Sequence, residues 1–200
     1  MKASARPHSR QHSIVTLIKE DHIPLKKEIR ILKSESATET QKKRSLTRFI
    51  KALKLHSKSE ELSLYRPTID DEVVRDPVLE GFEEHALADQ LMAQLEVAGF
   101  EQHWVDEVAV KAKVLAELVE HHISEEERDL LPKLHSVYDA ATLREFGRVY
   151  EETYALLKSH LTSQAPSSEF FGNPFEIRLK HPTVVEVEHE SSILLGGSRI

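Results

Sequence analysis

Four stretches of this chain repeat apolar residues every three or four positions, and a histidine is set into each of the four stripes. The first stripe is Ile14, Ile18, Leu25, Ile29 and Leu32, with His22 where it would continue. The second runs Leu46, Phe49, Leu53, His56, Glu60, Leu64, and the third Val78, Phe82, His85, Met92, Leu95. The fourth is Val108, Ala112, Leu115, Val119, His122, Glu126, Leu130. This is the helical period, so each stripe lies along one helix face, with residues four apart one turn above each other. Such a chain has four helix faces to bury and, with them, the polar groups they carry.

The second and fourth stripes share a longer pattern. His56, Glu60, Glu61 and Leu64-Tyr65 match His122, Glu126, Glu127 and Leu130-Leu131 at the same offsets. Each copy offers an imidazole and a carboxylate to one point in space, because residues four apart sit about 6 Å apart along a helix axis. His121 competes with His122, but its face (Val110, Val114, Glu117/Leu118, Glu125) is less apolar, and only His122 keeps the offset to Leu130-Leu131. His122 is therefore the ligand candidate and His121 its neighbour.

The spacing predicts a first helix from a cap at Ser13 to about Lys33, kinked near His22 by Pro24. A second covers about 40–65 and stops near Pro67; a third covers about 77–98 and stops at Gly99. A fourth spans about 103–131, with Pro132 ending or bending it, and a fifth about 140–162, carrying Leu143, Phe146, Val149, Tyr150, Tyr154 and Leu157. Four amphipathic helices of this length predict an all-α antiparallel four-helix bundle, with the fifth helix outside it or capping one end. Residues 1–12 read as a flexible arm. Residues 163–200 read as an irregular tail, with β-branched residues clustered at Thr183–Val187.

Composition narrows the chemistry. There is no cysteine, which excludes thiolate zinc sites, iron–sulfur clusters, disulfides and thiol catalysis. A net charge of −7 argues against nucleic acid or an anionic membrane as partner. No apolar run approaches the length that spans a bilayer, and the basic, polar Met1–His12 is no signal peptide. The expectation is a soluble, cytoplasmic protein whose chemistry is internal.

Buried Glu is rare unless it is paired or metal-bound. Two interior Glu and four interior His make a demand that a dry core does not meet and two cations would. The carboxylates would bridge the ions and the imidazoles cap them, two per ion; this donor set suits iron, zinc or manganese. The candidate ligands are His22, His56, Glu60, His85, His122 and Glu126. Glu61 and Glu127 are expected to support ligands or face solvent, and Asp21 and Glu84 to be helix-face charges. His8, His12, His103, His135, His160, His181 and His189 fall off the stripes and carry no expected role. The Glu-x-x-His spacing of ferritin-like di-iron enzymes occurs only at Glu186–His189, in the tail, and no His-Glu-x-x-His zinc motif exists.

With Asp21-His22, His56-x3-Glu60-Glu61, Glu84-His85 and His122-x3-Glu126-Glu127 followed by Leu130-Leu131-Pro132, the chain resembles the hemerythrin-like, or HHE cation-binding, family over about residues 13–162. The resemblance implies a bundle of the hemerythrin type holding two iron ions, with an oxo or hydroxo bridge between them. Glu60 and Glu126 would bridge the irons; His22 and His56 would sit on one, His85 and His122 on the other. It implies dioxygen, nitric oxide, peroxide or iron itself as the ligand bound or sensed. The alternative is an enzyme that decomposes peroxide or acts as an oxidase. Unlike the oxygen carriers of that family, this chain has no second histidine one turn from His85, where Gly81 and Asp89 stand, and its fourth-helix spacing from His to carboxylate is shorter. Six side-chain ligands leave one or both irons an open position. A signal would have to pass through a protein partner, with the tail or a bundle face the candidate surface.

Overall fold

The computed structural model describes residues 12–163; the arm and tail expected at the two ends lie almost wholly outside that range. Five helices make up the described chain. Helix α1 is Ile14–Lys33 and runs unbroken through Pro24. Ser13 stands at its N-cap position, but its side chain makes no capping bond. Helix α2 begins at Glu39–Glu60, continues through a π-helical turn, Glu61–Tyr65, and ends in Arg66–Thr68. Its start is fixed by a capping box, in which Thr38 and Gln41 each satisfy the other's backbone N–H. Helix α3 is Arg75–Val97, and Gly99 beyond it takes the left-handed φ of 63° that glycine accepts without strain.

Helix α4 begins at Asp106–Glu125, passes through a second π-helical turn, Glu126–Leu130, and continues as Leu131–Val137. Pro132 therefore does not end this helix, contrary to one reading of the sequence. A helix-interior proline lacks an N–H and crowds the carbonyl four residues back. Here the preceding turn is already widened: Leu131 N–H bonds to Glu126 O, five residues back, and Arg66 N–H bonds to Glu61 O in the same way ahead of Pro67. Each proline follows a π turn that removes the conflict. Helix α5 is Ala140–Ser163.

Two apolar clusters show how the helices run. One contains Leu25, Leu53, Ala88, Met92, Leu115 and Val119; the other contains Ile18, Leu64, Val78 and Leu130. Along α1 and α3 the chain passes from the second cluster to the first, and along α2 and α4 from the first to the second, so neighbouring helices are antiparallel. In each helix the residues between the clusters are the histidines and glutamates of the stripes. Helix α5 packs along α1 and α2 and over the α2 π turn. Its Gly147 lies against the His12 carbonyl, where a Cβ would collide with the backbone. Among the described residues no helix is long and apolar enough to cross a membrane.

Candidate metal centre

The layer between the two clusters is polar and closed to solvent. His22 and His56 are 1% exposed, His85 3%, His122 4%, Glu60 0% and Glu126 4%. All six sequence-derived ligand candidates thus meet in one buried layer. The rings pair as His22 with His56, centroids 5.0 Å apart, and His85 with His122, 4.7 Å apart. His56 and His85 are 6.4 Å apart across the pairs.

The inward atoms converge without satisfying one another. His85 Nε2 and His122 Nε2 are 3.2 Å apart. Glu60 Oε2 lies 3.6 Å from both His56 Nε2 and His85 Nε2. Glu126 Oε2 lies 3.1 Å from His22 Nε2 and 4.0 Å from His122 Nε2. Both oxygens of Glu60, both of Glu126, and Nε2 of His22 and of His56 have no hydrogen-bond partner. Unmatched charged oxygens in such a layer would cost several kcal/mol in order of magnitude, a cost that either a proton kept on Glu60 or a bound cation relieves. One ligand atom each from His56, Glu60, His122 and Glu126 lies within 4.8 Å of the others, which suits a cation held by nitrogen and oxygen.

The outward nitrogens, by contrast, are all satisfied, and their partners follow the order of the bundle. His22 Nδ1–H on α1 donates to Glu127 of α4 at 2.8 Å. His56 Nδ1–H on α2 donates to the Tyr150 hydroxyl at 3.2 Å, which in turn donates to Asp21 of α1 at 2.6 Å. His85 Nδ1–H on α3 donates to Glu61 of α2 at 3.2 Å, and His122 Nδ1–H on α4 donates to Glu84 of α3 at 2.7 Å. Each helix supports the histidine of the next with the acid beside its own ligand. These bonds place the proton on Nδ1 and turn every Nε2 lone pair inward, the arrangement by which metal-binding histidines are oriented.

Asp21 and Glu84 are therefore not the helix-face charges their positions suggested. The difference is one of turn: adjacent residues on a helix point about 100° apart, so a neighbour of a central histidine reaches the next helix rather than water. Tyr150, on the fifth helix, also lay outside the sequence-derived site. Asp21 is one methylene shorter than Glu84, and the phenol spans the gap.

Charge follows from burial. Burial, then the negative charge of Glu126, pushes Glu60 well above the usual carboxylate range. Burial raises Glu126 too, but its contacts with Glu60 and His22 outweigh that and hold it low. Burial, with His22 next to it, pushes His56 well below the ordinary imidazole value. At His122 burial acts in the same direction, but the bond to Glu84 and the charge of Glu126 reverse it.

Tyr65, in the α2 π turn, completes the wall. It is fully buried, stacks on His85 with centroids 5.4 Å apart, and its hydroxyl has no partner. Burial, Glu126 and Glu60 all hold it protonated. A Cβ on Gly81 would come within 2.6 Å of the Tyr65 oxygen, so a larger side chain at 81 and the tyrosine exclude each other. A small cavity of about 30 Å³ reaches this wall, lined by Tyr65, Gly81, Glu84, His122, Glu126 and Leu130 among others. That is room for a water or a diatomic molecule.

No curated protein and no solved structure matches the chain. A family description does: residues 13–134 match the hemerythrin HHE cation-binding domain.

Proposed function

The chain belongs to the hemerythrin HHE cation-binding domain family, and from that premise we propose that it is a non-haem di-iron protein that binds or senses dioxygen, nitric oxide or iron. His22, His56, Glu60, His85, His122 and Glu126 would be its side-chain ligands, with Glu60 and Glu126 shared between two ions. The observation that carries this reading is the sorting of the histidine nitrogens: each Nδ1 is bonded outward to an acid or phenol, while the Nε2 atoms and the unmatched Glu60 and Glu126 oxygens face one volume. A pair of irons held there would supply the redox chemistry for binding or reducing small oxygen and nitrogen species. The protein's own part is to hold the ligands' tautomers, keep bulk water out, and admit a small molecule past Tyr65.

The Tyr65 hydroxyl on the cavity wall also supports a second reading, an enzyme that decomposes peroxide, since a buried phenol can donate a hydrogen bond to an oxygen species beside it. Anaerobic loading of metal-free protein with ferrous iron, followed by oxygen or nitric oxide, tests the first reading. A visible-spectrum change that is absent in Glu126→Ala supports it, and a loaded protein whose spectrum responds to neither gas contradicts it. Rapid oxygen evolution from added peroxide would favour the enzyme.

A further inference from the structure

Helix α4 carries two consecutive His-x3-Glu pairs, and only His122 with Glu126 belongs to the buried set. His121 and Glu125, one residue earlier, stand at the surface with side chains 62% and 25% exposed and their Nε2 and Oε2 3.1 Å apart. One ligand atom each from Glu84, His121 and Glu125 lies within 4.8 Å of the others. Glu84 belongs to both levels, because it also accepts the bond from His122 Nδ1 at 2.7 Å.

Two further observations single this corner out. Of the four acids that support the ligand histidines, two are paired with a lysine, Glu127 with Lys26 and Glu61 with Lys58, and a third, Asp21, accepts a bond from the neutral Tyr150 hydroxyl. Among the described residues Glu84 has no lysine, arginine or phenol bonded to it, so its charge remains toward the cleft. The cleft that Glu84 and Glu125 line also reaches Glu126 and Tyr65, buried side chains whose oxygens have no partner. Glu80 and Asp129 add negative charge to its lining. The opposing charge is Arg128, which bonds Glu125 at 3.3 Å and Asp129 at 2.6 Å and is itself 62% exposed.

We propose that Glu84, His121 and Glu125 form an outer site for a divalent transition-metal ion, on the route by which ions reach the buried histidines and glutamates. The donor set is one imidazole and two carboxylates, which suits the same ions as the inner layer, and exposure makes the outer site weak and exchangeable. An ion there exchanges its water for Glu84 and Glu125 before moving along the cleft to Glu126. The outer site rests on the reading of the inner layer as a metal centre.

Metal-free protein titrated with cobalt(II) under anaerobic conditions tests it, alongside a His121→Ala, Glu125→Gln variant that leaves the inner layer untouched. The wild type should take two tightly held ions and a third, weaker one. The variant should lose the third and fill the inner layer about tenfold or more slowly, because a focused negative mouth speeds capture by at least that factor. A wild type that stops at two ions overturns the proposal, as does a variant with the wild-type third ion or the wild-type filling rate. A wild type that takes no cobalt overturns the reading of the inner layer as well.

Discussion

Glu61 and Glu127 are not among the proposed ligands, yet they hold His85 and His22 in the orientation the inner layer needs. Removing such supporting acids typically weakens metal binding by about 10–100-fold. Glu61→Gln and Glu127→Gln should each show a loss of that size in competition with a chelator, while still binding two ions at saturation; an unchanged affinity would mean these acids only balance Lys58 and Lys26. A second residue-scale prediction concerns Gly81. Adding a methyl there places a Cβ 2.6–2.8 Å from the Tyr65 ring and hydroxyl, and overpacking of this kind costs about 1–3 kcal/mol. Urea denaturation of Gly81→Ala should show that loss, and Tyr65→Leu in the same chain should recover part of it. The ligand candidates were legible in the sequence because all six lie on the four apolar stripes. Tyr150 was not, because it sits on an ordinary helix-face position of α5, and its role depends on the shortness of Asp21 across the gap. Glu84 carried a signal that the stripes do not weigh: an acid directly before a central histidine, repeated at Asp21.

At the scale of elements, the helices and their order could be read from the period of the stripes, while the π turns could not. Pro132 read as a stop or bend because periodicity assumes bonds four residues back; once the turn widens to five, the helix continues past it to Val137, whereas the second helix does end beside Pro67, at Thr68. Helix α5 joins the centre through one hydroxyl. Tyr150→Phe removes the acceptor of His56 Nδ1–H while keeping the ring, so the variant should keep its fold and its two-ion capacity but bind more weakly, by about tenfold, in the same chelator competition. A fold change instead of an affinity change would reduce α5 to a packing role. Helices α1 and α2 are tied at Glu28, which accepts from Arg48 at 2.7 and 2.8 Å and from Ser45 at 2.7 Å. Burial opposes its charge, but these bonds win and hold the carboxyl below its ordinary 4.5. A lowered carboxyl stabilises the fold above its unfolded value and loses that contribution as pH falls toward the folded one. Glu28→Gln should therefore cost about 1–3 kcal/mol near neutrality, and the gap should close as the pH drops below 4.5 in urea denaturation of metal-free protein.

For the whole molecule, a bundle that ends each half of its core at a layer of unmatched carboxylate and imidazole atoms gives up stability that an apolar layer would have kept. Ions that bind only the folded chain would restore it by mass action, so metal binding adds to the stability of the metal-free fold. The apolar clusters on either side hold the helices in place, and the layer between them carries the buried imidazole and carboxylate atoms. Iron content per chain tests this account most directly. After anaerobic loading and removal of loose metal, the wild type should hold two irons and Glu60→Ala fewer than one. A wild type that holds one iron or none, or a Glu60→Ala chain that keeps both, would contradict it.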